Sequence, residues 1–92
     1  MIRYGFLGTY SFVGGGQTNE ASGDRSTVGG VMNNDATNDM AVIAGGNGND
    51  ATGATSAICG GSYNDATGTS SFVGGGGSNT ASTSYSFVGG GE

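Results

Sequence analysis

Small, β-branched and polar residues recur along this chain at a fixed interval. The segment Ser-Phe-Val-Gly-Gly-Gly at 11–16 has counterparts that begin at residues 26, 41, 56, 71 and 86, so every offset is 15 residues. No insertion or deletion breaks this register. Because a fixed period of this length is the signature of a repeat architecture, the pattern predicts one structural coil for every 15 residues.

Several positions of the repeat always hold the same type of side chain. Counted from the residue that opens each repeat, position three is always β-branched, position nine is always Asn and position eleven is always Ala. The recurring residues are Val13, Val28, Ile43, Ile58, Val73 and Val88 at position three, Asn19, Asn34, Asn49, Asn64 and Asn79 at position nine, and Ala21, Ala36, Ala51, Ala66 and Ala81 at position eleven.

This pattern predicts two short strands per coil, one through positions one to four and one through about positions ten to twelve. Gly and Asn between them tolerate positive φ and allow tight corners. In a stack of parallel strands, equivalent residues lie about 4.8 Å apart, and Asn columns can hydrogen-bond amide to amide. The predicted fold is therefore all-β, a parallel β-solenoid (β-roll) with 15-residue coils. Position four is always small, which predicts a tight inner slot with Cys59 as a buried filler.

The repeats also predict how the chain is divided. Residues 1–10 depart from the consensus and are expected to form an N-terminal cap or partial coil, as solenoids need. The repeat solenoid is expected to fill residues 11–92, with coils that start at residues 11, 26, 41, 56 and 71 and a partial coil at residue 86.

Composition narrows the functions that this chain could have. Gly makes up 22 of 92 residues, Pro, Lys and His are absent, and the net charge is −5. The acidic balance argues against nucleic acid and anionic membranes as partners. Without His or Lys the serines have no ordinary activating base, so we expect neither an enzyme nor a cofactor. Cys59 is the single cysteine, which excludes a disulfide within the chain.

Two sets of side chains are candidates for binding. Position ten places Asp35, Asp50 and Asp65 in one column, which could hold calcium as a ladder of carboxylates. The simpler interpretation is an exposed acidic stripe that keeps the protein in solution, and it is favoured. The tyrosines at repeat edges could contact carbohydrate or protein, or could simply pack at the rung edges. They are Tyr4, Tyr10, Tyr63 and Tyr85.

The lean repeat predicts association with other copies. Each coil offers one Val or Ile, one Ala and a variable residue at position two. The free energy gained by burying these side chains barely offsets the ordering entropy of roughly 1.5 kcal/mol per residue. Association around a common axis would bury the remaining apolar column, so a cyclic homo-oligomer is expected.

Ice binding is a remote alternative function, because position twelve supplies a single Ser/Thr column, whereas flat ice-binding faces carry paired Thr columns. Self-templated fibre growth at the last coil is another.

The run Ser-Phe-Val-Gly-Gly-Gly-x-x-Asn-x-Ala-Ser-Gly-x-x-Ser at 11–26 resembles the head repeats of trimeric autotransporter adhesins of the YadA type. Similar repeats occur in phage and giant-virus fibre proteins, and the resemblance covers about residues 10–92. Here the repeat is one residue longer, and Asn stands where the adhesin repeat has Ser. The resemblance implies a left-handed β-roll and a homotrimer.

The function that follows from this resemblance is structural. We expect a non-enzymatic fibre segment of a virion, such as a phage tail fibre, that gives rigidity, supports attachment and adjoins other fibre domains. The alternative is the head of a bacterial surface adhesin that binds host carbohydrate or protein directly. These residues hold no signal sequence, stalk heptads or membrane anchor, which favours the virion as the location.

Overall fold

A computed structural model describes residues 8–91, and within that range every coil contributes two strands of two residues each. The first strand of a coil covers positions two and three, and the second covers positions ten and eleven. The strands are β1 (Phe12–Val13), β2 (Glu20–Ala21), β3 (Thr27–Val28), β4 (Asp35–Ala36), β5 (Val42–Ile43), β6 (Asp50–Ala51), β7 (Ala57–Ile58), β8 (Asp65–Ala66), β9 (Phe72–Val73), β10 (Thr80–Ala81) and β11 (Phe87–Val88).

These strands form two parallel sheets that run along the solenoid. The odd-numbered strands make a six-stranded sheet in the order β1-β3-β5-β7-β9-β11, and the even-numbered strands make a five-stranded sheet. Val28 pairs with Ile43, and Ala36 pairs with Ala51, each an offset of 15 residues. The β-solenoid with 15-residue coils is thus confirmed. The strands are shorter than predicted because the chain bends immediately after positions three and eleven. Of the predicted cap at 1–10, residues 1–7 lie outside the described residues.

The core lies between the two sheets and is built from the predicted columns. The four central position-three residues and all five position-eleven alanines are at most 1% exposed, whereas Val13 and Val88 are half-buried at the ends. Most position-one residues are also buried, and Ser26 and Ser56 each donate a hydroxyl bond to the carbonyl three residues earlier. The serine hydroxyl at position one therefore helps to hold the turn that leads into its own coil.

A ladder of buried asparagines joins the coils at position nine. The side-chain oxygen of each Asn accepts the backbone N–H of the next Asn in the column, at 2.9–3.1 Å. Its amide nitrogen donates to the position-five carbonyl of its own coil and to the position-six carbonyl of the next; for Asn34 both distances are below 3 Å, to Gly30 and to Gly46. The predicted amide-to-amide bonds also occur, from Asn34 to Asn19 and from Asn49 to Asn34, both at 3.2 Å.

The corners of each coil use left-handed backbone at residues that are not glycine. Every described residue at position fifteen, from Tyr10 to Tyr85, has φ between 54° and 61°. Position eight has the same conformation, for example at Tyr63. The N–H groups at both corners donate to the preceding coil, as from Arg25 to the carbonyl of Thr9 at 2.7 Å. These inter-coil bonds hold a backbone conformation that non-glycine residues normally avoid. No helix in residues 8–91 could cross a lipid bilayer.

Replacing Asn49 by Ala should lower the free energy of unfolding by about 3 kcal/mol, because it leaves the Asn64 N–H and the Gly45 carbonyl without their partner. The exposed Asn38, which donates to the Thr52 carbonyl, is the control, and Asn38→Ala should cost less than about 1 kcal/mol. Urea unfolding followed by circular dichroism at equal chain concentration measures both. Equal losses would show that the ladder does not hold the coils together.

Val31 gives a second prediction, because it is a β-branched residue at φ 68° and is 58% exposed. Val31→Gly should raise the free energy of unfolding by about 1 kcal/mol, since glycine adopts this conformation without strain. The same change at Val42, which lies in a strand, should lower it by about 1 kcal/mol. Thermal unfolding of the two variants beside the parent provides the comparison, and a loss of stability in Val31→Gly would contradict the strain argument.

Candidate functional site

The solenoid has two broad outer faces whose chemistry differs. Because side chains alternate along a strand, positions two and four point outward from the six-stranded sheet when position three points inward. Positions ten and twelve likewise point outward from the five-stranded sheet. We name the first surface the apolar face and the second the acidic face. The apolar face consists of Phe12, Thr27, Val42, Ala57, Phe72 and Phe87 at position two, with Gly14, Gly29, Ala44, Cys59, Gly74 and Gly89 at position four.

The acidic face carries one column of carboxylates. Glu20, Asp35, Asp50 and Asp65 pair with one another in the parallel register of β2, β4, β6 and β8, and all four are half-buried. Burial raises the pKa of Asp35 above its ordinary value of 3.8, and the neighbouring carboxylates of Asp50 and Glu20 raise it further. Burial and then the Asp65 carboxylate raise the pKa of Asp50. At neutral pH the ionised carboxylates of this column therefore repel one another.

The hypothesis of a calcium ladder concerns Asp35, Asp50 and Asp65. They lie in successive strands of one column, as the repeat predicts. In residues 8–91, no group of three acidic or cysteine side chains converges closely enough to hold a metal ion. Calcium binding stays an alternative to the favoured acidic stripe, and thermal unfolding at millimolar calcium tests it, because a bound ion would raise the melting temperature.

The apolar face exposes aromatic and aliphatic side chains to solvent. Phe12 is 57% exposed, Val42 39% and Phe87 70%. The rings of Phe72 and Phe87 stack with their centroids 5.0 Å apart and their planes 8° from parallel. A methyl group added at Gly14 would lie 3.2 Å from Cε1 of Phe12, so that ring lies over the glycine of its own coil. This face is therefore a smooth apolar layer rather than a row of projecting side chains.

The structure corrects the interpretation of position four. The sequence predicts an inner slot with Cys59 as a buried filler, but the residues of this column lie on the outer face and Cys59 is exposed. The reason is the alternation of the strand, which turns position four away from the core once position three faces it. The repeat predicts an apolar column that association would bury, but not that position four belongs to the same face. The opposite sizes of positions two and four, such as Phe12 beside Gly14 and Ala57 beside Cys59, could have indicated it.

The tyrosines lie at the corners that join the sheets. Tyr10 and Tyr85, both at position fifteen, are 85% and 81% exposed. Tyr63 is 63% exposed, and its ring lies over Gly48 of the preceding coil. These three rings are therefore available to a partner, whereas Tyr4 lies outside the described residues.

One corner near the first coil forms an open depression of about 140 Å³, lined by Thr9, Tyr10, Asp24 and Arg25. The Thr9 backbone N–H donates to the Asp24 carboxylate at 3.1 Å. This bond ties the depression to two successive coils, so its shape depends on their stacking.

Comparison of the chain with protein-family models, with curated proteins and with solved structures found no match. The functional argument therefore depends on the repeat and on the geometry of the two faces and the corners.

The acidic column predicts a pH dependence of stability. The folded state binds protons at Asp35 and Asp50 more tightly than the unfolded chain does, so stability should be lowest at neutral pH. It should rise as the pH falls through the raised pKa values toward 3.8. Melting temperatures measured between pH 7 and pH 4 test this direction, and a fall toward pH 4 would contradict it.

Matched variants isolate the column. At pH 7, Asp50→Asn should raise the free energy of unfolding by about 0.5 kcal/mol, because solvent and salt screen the ~0.9 kcal/mol repulsion between adjacent carboxylates. Asp39→Asn removes the same charge from an exposed corner outside the column and should change stability less. The double variant Asp35→Asn/Asp50→Asn should also flatten the pH dependence.

Proposed function

We propose that this chain is a non-enzymatic structural segment of a fibre, in which copies of the chain associate side by side as a homotrimer. The observation that carries the proposal is the uninterrupted 15-residue stacking of identical side chains through the described residues. A solenoid of this kind lengthens by about 4.8 Å for each added repeat without any change in its cross-section. Such a rod is suited to holding the neighbouring parts of a fibre at a fixed distance from each other.

Rigidity follows from the bonds between successive coils. Each coil is joined to the next by parallel strand pairing in both sheets and by the buried Asn ladder. At the corners, N–H groups also donate to the preceding coil, whereas the strand N–H groups donate to the following coil. Bending the rod would open several of these bonds at once on one side. Because these bonds recur in every coil, the stack resists bending better than a linker of similar glycine content would.

Self-association is supported by the imbalance between core and surface. The core of one coil holds a β-branched residue, an alanine and polar Asn and Ser side chains. Large apolar groups such as Phe12 and Phe87 lie outside this core, on the apolar face. A partner that covers them would supply the hydrophobic burial that the single chain lacks.

The number of chains and the setting come from the resemblance to repeats of YadA-type adhesins and of viral fibres. That resemblance supports three chains and favours a virion appendage, with neighbouring fibre domains as the other partners. In this role the segment gives length and stiffness, while attachment to a host is made by the appendage as a whole.

A second candidate is an adhesin head that itself binds a host ligand, with the bacterial surface as its location. The observation that favours it is the pair of highly exposed tyrosines, Tyr10 and Tyr85, on one corner edge of the solenoid. Exposed aromatic rings are common contacts for carbohydrate and protein partners. The two candidates differ in whether the isolated segment has affinity of its own.

Light scattering and small-angle X-ray scattering test the structural proposal. We expect a mass three times that of the 8.9 kDa chain. A variant in which residues 41–55 are duplicated should form the same number of chains and be longer by about 4.8 Å. A folded monomer would overturn the proposed self-association. Binding of the isolated assembly to host cells, with loss of binding in Tyr10→Ala/Tyr85→Ala, would favour the adhesin instead.

A further inference from the structure

We infer that the apolar face is the surface through which one copy of this chain packs against another. The inference deepens the proposed function, because it assumes self-association and assigns it to one side of the solenoid. The occupant of the face is a second copy of the same chain, for reasons of charge, shape and area.

Charge selects this face for contact between identical chains. Each copy carries a net charge of −5, so copies repel one another wherever their acidic groups meet. The apolar face has no carboxylate or basic group at positions two and four. The carboxylate column lies on the opposite side of a solenoid 12 Å thick, which exceeds the Debye length of about 8 Å at physiological salt. Copies can therefore turn their apolar faces toward one another around a common axis with little repulsion.

The shape of the face is also suited to a flat contact. Where position two is large, position four is Gly, as at Phe12 and Gly14; where position two is Ala57, position four is Cys59. The rings of Phe12 and Phe87 lie over the glycines of their own coils, at 3.2 and 3.5 Å from where a methyl group would be. At these two coils the ring thus covers its own backbone, which makes the face less uneven there. A second copy has the same rung spacing, so its rows can lie between these rows along the whole length.

The area is sufficient for a specific contact. The described chain measures 31 × 23 × 12 Å, and since packed sheets lie about 10 Å apart, the smallest dimension is the thickness. The broad side that carries the apolar face measures 31 Å by 23 Å and covers roughly 700 Å², so a contact over this whole side would approach the ~800 Å² that each partner buries in a standard interface. Most of the exposed aromatic rings outside the corners would then leave water.

Paired charge substitutions test the assignment. Val42→Glu places a carboxylate on the apolar face, and Thr52→Glu places one on the acidic face; both parent side chains are exposed in the single chain. We expect light scattering to show that Val42→Glu dissociates the assembly by at least a tenfold weakening of association, while Thr52→Glu leaves its mass unchanged. Assembly that survives Val42→Glu but is lost in Thr52→Glu would overturn the assignment without affecting self-association itself.

Cys59 supplies a second measurement, which places no charge on either face. Its thiol lies on the apolar face, so in the parent assembly it should react with a maleimide about 10-fold more slowly than the thiol of the Cys59→Ala/Thr52→Cys variant, which lies on the acidic face. Equal rates in two assemblies of equal mass would overturn the assigned face. A parent protein that is monomeric at all concentrations would instead overturn the proposed self-association, and this inference with it.

Discussion

The buried asparagine at position nine is the interaction on which the rest of this solenoid depends. Its amide nitrogen bonds the position-five carbonyl of its own coil, and its oxygen bonds the backbone of the coil that follows, as in Asn64 with Gly60 and Asn79. One side chain thus fixes a turn and a coil-to-coil contact together. Asp could not replace it, since a carboxylate has no donor and would bury a charge. Gln would carry the amide one methylene too far from the turn.

Because the ladder fixes each turn, it also fixes which residues face inward. Positions three and eleven fill a narrow core with one Val or Ile and one Ala, as in Ile43 and Ala51. The hydrogen bonds between coils therefore carry a larger share of the stabilisation than they do in a protein with a large hydrophobic core. This also explains how left-handed corners at residues such as Met40 and Thr55 persist: their N–H groups donate to the preceding coil at 2.8 Å. Without that stack the same backbone would relax to an ordinary conformation.

The period and the core could be predicted from the sequence because both are repeated. Five Asn and five Ala residues at fixed intervals report the same environment five times, so the prediction does not depend on any single residue.

Position four was placed wrongly because small residues fit either a tight interior or a flat exterior, and Cys59 and Ala44 have no property that separates the two. The corner conformation at Tyr85 was also beyond prediction, since tyrosine does not favour positive φ and a bond from its N–H to the Thr69 carbonyl of the preceding coil holds it. The acidic column was predicted correctly as a column, whereas the raised pKa values of Asp35 and Asp50 depend on a degree of burial that spacing does not give.

The two faces together determine what kind of assembly the proposed interface could form. A β-solenoid that was apolar on both faces would stack sheet upon sheet without end, as steric zippers do. Here one face is apolar, and the other carries Glu20, Asp35, Asp50 and Asp65, which oppose stacking. Chains that turn their apolar faces toward a common axis therefore turn their carboxylates outward and leave no apolar face for a further layer. Association then ends in a closed group around an axis, which is how identical chains form a rod of fixed cross-section. The repulsion that weakens the single chain at neutral pH thus limits the assembly in width while leaving it free to extend in length.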